Sequence, residues 1–268
     1  MIIFDGLYSF ISVLLTMLSI YINNFMAKKE LDKYPFGKYI LEPMVIALKS
    51  LIIAGMCLYS LIEAIQEIVH GGSSVEYSSA LIYSVVSVLG CGVVYLFMKK
   101  KGEKISSEMV KIEASQWLMD TLLSIAVLVG FVIAMILRNT RFSGLNVYID
   151  PMMVIVVSIV FIKMPVQSFI DSFKEILCVK ANDEINDDIY LIVKEIEKEY
   201  NFEDSISRVS KIGGELRIEI DFIYNEESKL KDLDQMDCVR EEVYNAIKHI
   251  DYKKWLNVSF TGDKKWAI

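Results

Sequence analysis

Five apolar segments, each long enough to cross a lipid bilayer, constrain the fold of this chain more than any other feature of its sequence. A membrane-spanning helix needs about 20 mainly apolar residues. The predicted spans cover residues 2–26, 41–65, 80–98, 110–137 and 152–170. Hydrophobic residues make up 54% of the 268-residue chain, and their excess lies almost entirely before residue 177. The sequence therefore predicts an all-α membrane bundle over residues 1–176, followed by a small domain over residues 177–268.

The distribution of lysine among the connecting loops predicts the orientation of this bundle. Loops 27–40 and 99–107 each contain four lysines, whereas loop 67–79 contains neither lysine nor arginine. Because lysine-rich loops stay on the cytoplasmic side, we expect these loops and the C-terminal domain in the cytoplasm. The protein is then a multi-pass protein of the plasma or inner membrane. Five spans place Met1 outside the cell, so we also expect a further helix before it.

The C-terminal domain alternates between helical and strand patterns. Apolar residues recur at helical spacing over 187–200 and 230–250, and at alternate positions over 206–212 and 215–224. The pair Gly213 and Gly214 between the two strands predicts a hairpin, and residues 255–260 predict a third strand. The order α-β-β-α-β predicts a small ferredoxin-like α+β domain, with both helices on one face of the sheet.

Composition excludes several classes of function. A net charge of −7 leaves no basic surface for nucleic acid. The four cysteines are widely separated and form no CxxC pair, so neither a disulfide framework nor a zinc ribbon is expected. The spans carry no nucleophile–base pair and no metalloprotease motif, so we expect that the protein is not an enzyme.

Polar residues inside the predicted spans cluster on two helical faces. Ionisable groups in lipid are costly and generally serve a function. One interpretation is a cation pathway, in which carboxylates attract cations and exchange protons. The other is that the serines and the glutamine join helices while Lys49 neutralises Asp120. Lys49 then acts either as a structural counter-ion or as a proton-linked group. The first face carries Asp5, Tyr8, Ser9 and Ser12, and the second carries Gln116, Asp120 and Ser124.

Two short motifs resemble the cation diffusion facilitator family. They are Asp5-Gly6-Leu7-Tyr8-Ser9, and Tyr34-Pro35-Phe36-Gly37-Lys38 followed by Leu41-Glu42-Pro43. They are similar to that family's second helix, the following loop and the start of its third helix, and the α-β-β-α-β tail is similar to its cytoplasmic domain. The resemblance implies a six-helix plan of which five helices are visible. It further implies a homodimer, paired through the C-terminal domain, that exports divalent metal cations in exchange for protons.

The resemblance also implies a transport site, and this chain departs from its pattern. The family places HxxxD or DxxxD pairs at positions that match Tyr8 and Ser12, and Gln116 and Asp120. Only Asp120 keeps a ligand type, with Asp5 as the second candidate metal-binding carboxylate. Oxygen donors suit harder cations better than tetrahedral zinc.

The identity of the transported cation is left open by these residues. Zinc, manganese, iron, cobalt and magnesium all remain candidates for the transported cation. No permanently bound cofactor is expected. The expected partners are the bilayer, metal cations, protons and a second copy of the chain. The alternative to a transporter with an altered site is a non-transporting relative that serves as a membrane scaffold or regulator.

Overall fold

A computed structural model describes the backbone of residues 2–28, 30, 32–72, 77–105, 108–138, 146–230 and 232–267. Side chains are described for most of these, but not for residues 2–13, 77–84, 103–109 or several later positions in the fourth helix. The chain divides into two compact units. The first comprises Met1–Ala27 with Met44–Phe173, and the second comprises Lys28–Pro43 with Lys174–Ile268.

The first unit is built from helices throughout the part that the structure describes. Helix α3 packs on α4, and α4 packs on α5. Helix α2 ends before Gly71 and Gly72, whose positive φ angles of 100° and 92° suit glycine at the end of a helix. The helices are α1 (Ile2–Ala27), α2 (Leu41–Val69), α3 (Tyr77–Ile105), α4 (Glu108–Arg138), α5 (Asn146–Phe161) and α6 (Lys163–Ile176).

The break between α5 and α6 falls inside the segment predicted as the fifth span. Pro165 has no backbone N–H to donate to the carbonyl of Phe161, so the helical hydrogen bonding is interrupted there. The bonds on either side of the break survive, because Ile162 N donates to Ser158 O at 3.0 Å and Val166 N donates to Ile162 O at 3.3 Å. The helical run 147–176 therefore continues past the break.

The surface of the first unit is apolar, and polar groups lie inside it. On α2, Leu51 and Ile62 are each 55% exposed, while Lys49 is only 2% exposed. Exposed apolar side chains around buried polar ones suit a lipid environment, because soluble monomers rarely expose large apolar patches. Within the described residues, Leu41–Val69 and Val147–Ile176 are long and apolar enough to cross a membrane.

The second unit has the predicted order α-β-β-α-β. Strands β1 and β2 pair antiparallel through the Gly213–Gly214 turn, while β2 and β3 pair parallel, giving the sheet order β1-β2-β3. Helices α7 and α8 cover the sheet face that carries Leu216, Ile218 and Phe222, all fully buried. The elements are α7 (Asp183–Tyr200), β1 (Asp204–Ile212), β2 (Glu215–Ile223), α8 (Leu233–Ala246) and β3 (Lys253–Thr261).

Capping residues explain where the two helices of this unit begin. The Asn182 side chain accepts the N–H of Ile185 at 3.1 Å, so α7 starts four residues before the predicted position 187. The Asp232 side chain accepts the N–H of Gln235 at 2.9 Å, so α8 starts at Leu233. The prediction of one helix over 230–250 was therefore too long at both ends.

The segment Lys28–Pro43 belongs to the second unit and packs on the β1–β2 turn. The Glu42 carboxylate accepts the N–H of Gly214 at 2.9 Å, and the Glu175 carboxylate accepts the N–H of Gly213 at 2.9 Å. Arg217 donates to the carbonyl oxygen of Phe36 at 2.9 Å. Two carboxylates thus accept the two N–H groups of the turn.

Candidate functional site

A buried ion pair joins α2 and α4. The Lys49 ammonium contacts the Glu113 carboxylate, and the two residues are 2% and 8% exposed. Removing two charges from solvent is costly unless each compensates the other. The pair therefore places a buried carboxylate between α2 and α4.

A small cleft lies between α2, α4 and α6, and its accessible lining is mainly apolar. Gln116 follows Glu113 by one helical turn on α4, and Ser50 follows Lys49 directly on α2 and is 1% exposed. The cavity volume is about 20 Å³, which is enough for a single water molecule. The cleft is lined by Ser50, Ile53, Ser115, Gln116, Met164, Pro165 and Ser168.

Asp120 lies one turn beyond Gln116 on α4. Ser124 lies one turn further on, with its hydroxyl 3.1 Å from Ser87 Oγ on α3 and 2.8 Å from the carbonyl oxygen of Asp120. The polar residues of α4 therefore face neighbouring helices.

Four polar residues form a continuous stripe along one face of α4. Their spacing of three, four and four residues keeps them within an arc of about 80° and spreads them over about 16 Å of helix. The α4 stripe consists of Glu113, Gln116, Asp120 and Ser124.

The structure brings together only part of the predicted site. Gln116 and Asp120 share the α4 stripe, as the sequence indicated. Asp5, Tyr8 and Ser12 lie on α1, where side chains are outside the described residues.

Lys49, which one of the two interpretations of the sequence paired with Asp120, contacts Glu113. Sequence reasoning overlooked Glu113, although its separation of three and seven residues from Gln116 and Asp120 was a sufficient signal.

The chemistry of the described site is that of oxygen ligands. Carboxylate, amide and hydroxyl oxygens favour hard cations such as Mg²⁺ or Mn²⁺. Among the described side chains, no three His, Cys, Asp or Glu residues come close enough to hold a metal ion together. The described part of the α4 stripe therefore carries two carboxylates about two helical turns apart and does not form a closed metal cage.

Comparison with known proteins places the chain in a family. A family model described as the cation efflux transmembrane domain matches residues 1–177. The magnetosome protein MamB of Magnetospira sp. (strain QH-2) is 22% identical over 247 residues, which are 92% of this chain and 81% of MamB. The manganese efflux system protein MneP of Bacillus subtilis (strain 168) is 26% identical over 163 residues, which are 61% of this chain and 54% of MneP. The chain is therefore a membrane protein of the cation efflux (cation diffusion facilitator) family, whose members are cation transporters and not enzymes.

Proposed function

We propose that this protein is a secondary transporter that exports a divalent metal cation from the cytoplasm in exchange for protons. The observation that carries the proposal is the α4 stripe, which places a half-buried Asp120 two turns from the buried Glu113 in a helical unit with an apolar surface. A lipid-embedded carboxylate is costly, and contact with a passing cation compensates that cost.

The pathway has an altered set of ligands compared with the family pattern. Asp120 and Asp5 supply the negative charge, while Tyr8, Ser12 and Gln116 supply neutral oxygens. Gln116 lines the cleft between α2, α4 and α6, which supports its place on the pathway. Such a set suits Mn²⁺ or Mg²⁺ better than Zn²⁺. The similarity to a manganese efflux protein makes Mn²⁺ the first cation to test.

The topology proposed for this function has five spans of a six-span plan. The lysine-rich loops 27–40 and 99–107 place the C-terminal α+β domain, residues 177–268, in the cytoplasm. This domain pairs two chains into a homodimer. The transporter lies in the plasma or inner membrane.

Cation-driven proton flux in proteoliposomes tests the proposal. A Mn²⁺ gradient is imposed across liposomes that contain the purified protein, and an internal pH-sensitive dye reports proton movement. Asp120→Asn is expected to lower the flux at least tenfold, because the amide keeps the size of the side chain but loses its charge.

Asp171→Asn is the matched control. Asp171 is an exposed carboxylate on α6, and it accepts a hydrogen bond from Gln167 Nε2 at 2.9 Å. It is expected to retain the wild-type flux. Undiminished flux in Asp120→Asn would remove Asp120 from the pathway.

A second candidate is a non-transporting relative that acts as a membrane scaffold or regulator. It is favoured by the absence of a three-ligand metal group among the described residues. This candidate predicts no flux for any divalent cation in the wild-type protein, with the fold intact. Flux of Mn²⁺, Zn²⁺, Fe²⁺, Co²⁺ or Mg²⁺ above that of empty liposomes would exclude it.

A further inference from the structure

One exposed face of α5 and α6 repeats with a period of seven residues. Successive members of this face are separated alternately by four and three positions, which is the spacing of the contact residues in a coiled coil. Six of the seven members are large apolar side chains that are 42–59% exposed, and the seventh is an exposed lysine. This α5–α6 seam consists of Met152, Val156, Ile159, Lys163, Val166, Ile170 and Phe173.

The buried residues of the same two helices share this period. Four of them recur at intervals of seven positions, namely Pro151, Ser158, Pro165 and Ser172. They lie about 130° around the helix from the middle of the seam, on the side that packs on the rest of the chain. A straight α-helix drifts by about 20° in every seven residues, so a strict seven-residue repeat is typical of a helix that winds around a partner helix.

Lipid alone does not account for the seam along α6. From Met152 to Phe161, α5 is apolar on every side except at Ser158, as a helix surrounded by lipid can be. In α6, by contrast, the exposed polar residues Gln167 and Asp171 flank the apolar stripe. A narrow apolar stripe between polar flanks is typical of a helix that packs on another helix.

Lys163 fits the same interpretation. A single lysine at a seam position of a coiled coil sets the register and the number of helices, at some cost in stability. It lies in the middle of the seam, with Ile159 and Val166 as its neighbours along the stripe. The α5–α6 seam therefore has both the apolar spacing and the interruption that specify a defined pairing.

We propose that the α5–α6 seam is an interface with a second copy of this chain, formed as a parallel two-helix coiled coil. Copies of one membrane protein insert in the same orientation, so the seams of two copies meet in parallel and in register about a twofold axis. The interface extends along about 32 Å of helix. It goes beyond the proposed function, because it adds a contact within the membrane unit and does not depend on transport.

Disulfide cross-linking of the full-length protein in liposomes tests the seam. A single cysteine replaces Ile170 or Phe173 in a background whose four native cysteines are changed to alanine. Two helices packed about 8–10 Å apart bring their facing Cα atoms to about 4–6 Å, a separation that a disulfide can span. We expect mild oxidation to link at least about fivefold more dimer in Ile170→Cys and Phe173→Cys than in Asp171→Cys. Asp171 is the matched control, because it is also exposed but lies about 100° around the helix from Ile170.

A second measurement covers the case in which a cysteine variant folds poorly. Energy transfer between labelled copies, followed as the liposomes are diluted with lipid, reports association of the chains. Lys163→Ile is expected to associate at least about tenfold more tightly, because it removes the polar interruption of the seam. Lys163→Arg keeps the charge and should associate as wild type does.

Either measurement can overturn the inference. Cross-linking at Ile170 and Phe173 no greater than at Asp171 would mean that the seam faces lipid, whether the chain is monomeric or paired through its C-terminal domain alone. Unchanged association of Lys163→Ile would lead to the same conclusion. Neither measurement uses a cation gradient, so a failure of the proposed transport function would appear separately, as missing flux in a protein that still cross-links through the seam.

Discussion

Replacing Gly213 with alanine is expected to release the segment Lys28–Pro43 from the β1–β2 turn. Gly213 has φ +56°, a left-handed conformation that costs a non-glycine residue about 1–2 kcal/mol. An added Cβ would also lie 2.6 Å from Glu42 Oε2 and 3.0 Å from the carbonyl oxygen of Tyr39. Glu42 must then move and lose the N–H of Gly214, which it accepts at 2.9 Å.

The size of the effect follows from these two losses. A hydrogen bond to a charged group contributes about 1.5–3 kcal/mol. Together with the backbone strain of about 1–2 kcal/mol, the substitution costs about 2.5–5 kcal/mol. Because about 1.4 kcal/mol is tenfold in an equilibrium constant, local opening of the segment becomes at least about fiftyfold more frequent.

Hydrogen exchange followed by mass spectrometry on the full-length protein measures this opening. Amides of residues 32–43 and of Gly214 should exchange at least about fiftyfold faster in Gly213→Ala. Gly262→Ala is the matched control, because a Cβ at Gly262 meets no atom within 4 Å. Glu42→Gln keeps the turn and should show a smaller increase. Equal exchange in Gly213→Ala and wild type would refute the packing of this segment on the turn.

Two further predictions concern the C-terminal α+β domain and are read from urea unfolding followed by tryptophan fluorescence. Phe222→Ala should cost about 3–5 kcal/mol, because Phe222 is fully buried and its ring centroid lies 4.7 Å from that of Phe202. Leu191 is 61% exposed, so Leu191→Ala should change the free energy of unfolding by no more than about 0.5 kcal/mol. Equal losses of stability in Phe222→Ala and Leu191→Ala would contradict the described core. Burial raises the pKa of Glu215 in the folded domain above its usual 4.5. Stability is therefore lost as pH rises from 4.5 through the folded pKa, because the buried carboxyl group then ionises. Glu215→Gln should therefore raise the unfolding midpoint at pH 7.5 and have little effect at pH 4, whereas a gain that is equal at both pH values would contradict this assignment.

Periodicity predicted the elements of the C-terminal domain well, because each strand and helix has one buried face. The alternation of Leu216, Ile218 and Phe222 with charged residues fixed both the strand and the side that the helices cover. Helix boundaries were less accurate, since they depend on single capping contacts such as those of Asn182 and Asp232. Capping residues are common in loops, so their presence alone does not show which of them begins a helix.

The candidate site was predicted less completely than the fold. Helical spacing places Gln116 and Asp120 on one face of α4 without any tertiary information. The partner of Lys49 depends on which turns of α2 and α4 meet, which no spacing within one helix reveals. Glu113 was therefore overlooked, and Lys49 was matched with the more conspicuous Asp120. The packing of Lys28–Pro43 on the Gly213–Gly214 turn joins residues more than 170 positions apart, so no local pattern could have revealed it.

Direct binding of Mn²⁺ to the purified protein tests the central claim most closely, because it needs neither a gradient nor a proton readout. Free Mn²⁺ gives a six-line electron paramagnetic resonance spectrum that broadens on binding, so a titration counts bound ions. Wild type and Asp171→Asn are expected to bind Mn²⁺ equally, and Asp120→Asn at least tenfold more weakly. Equal binding by wild type and Asp120→Asn would contradict a cation pathway along α4.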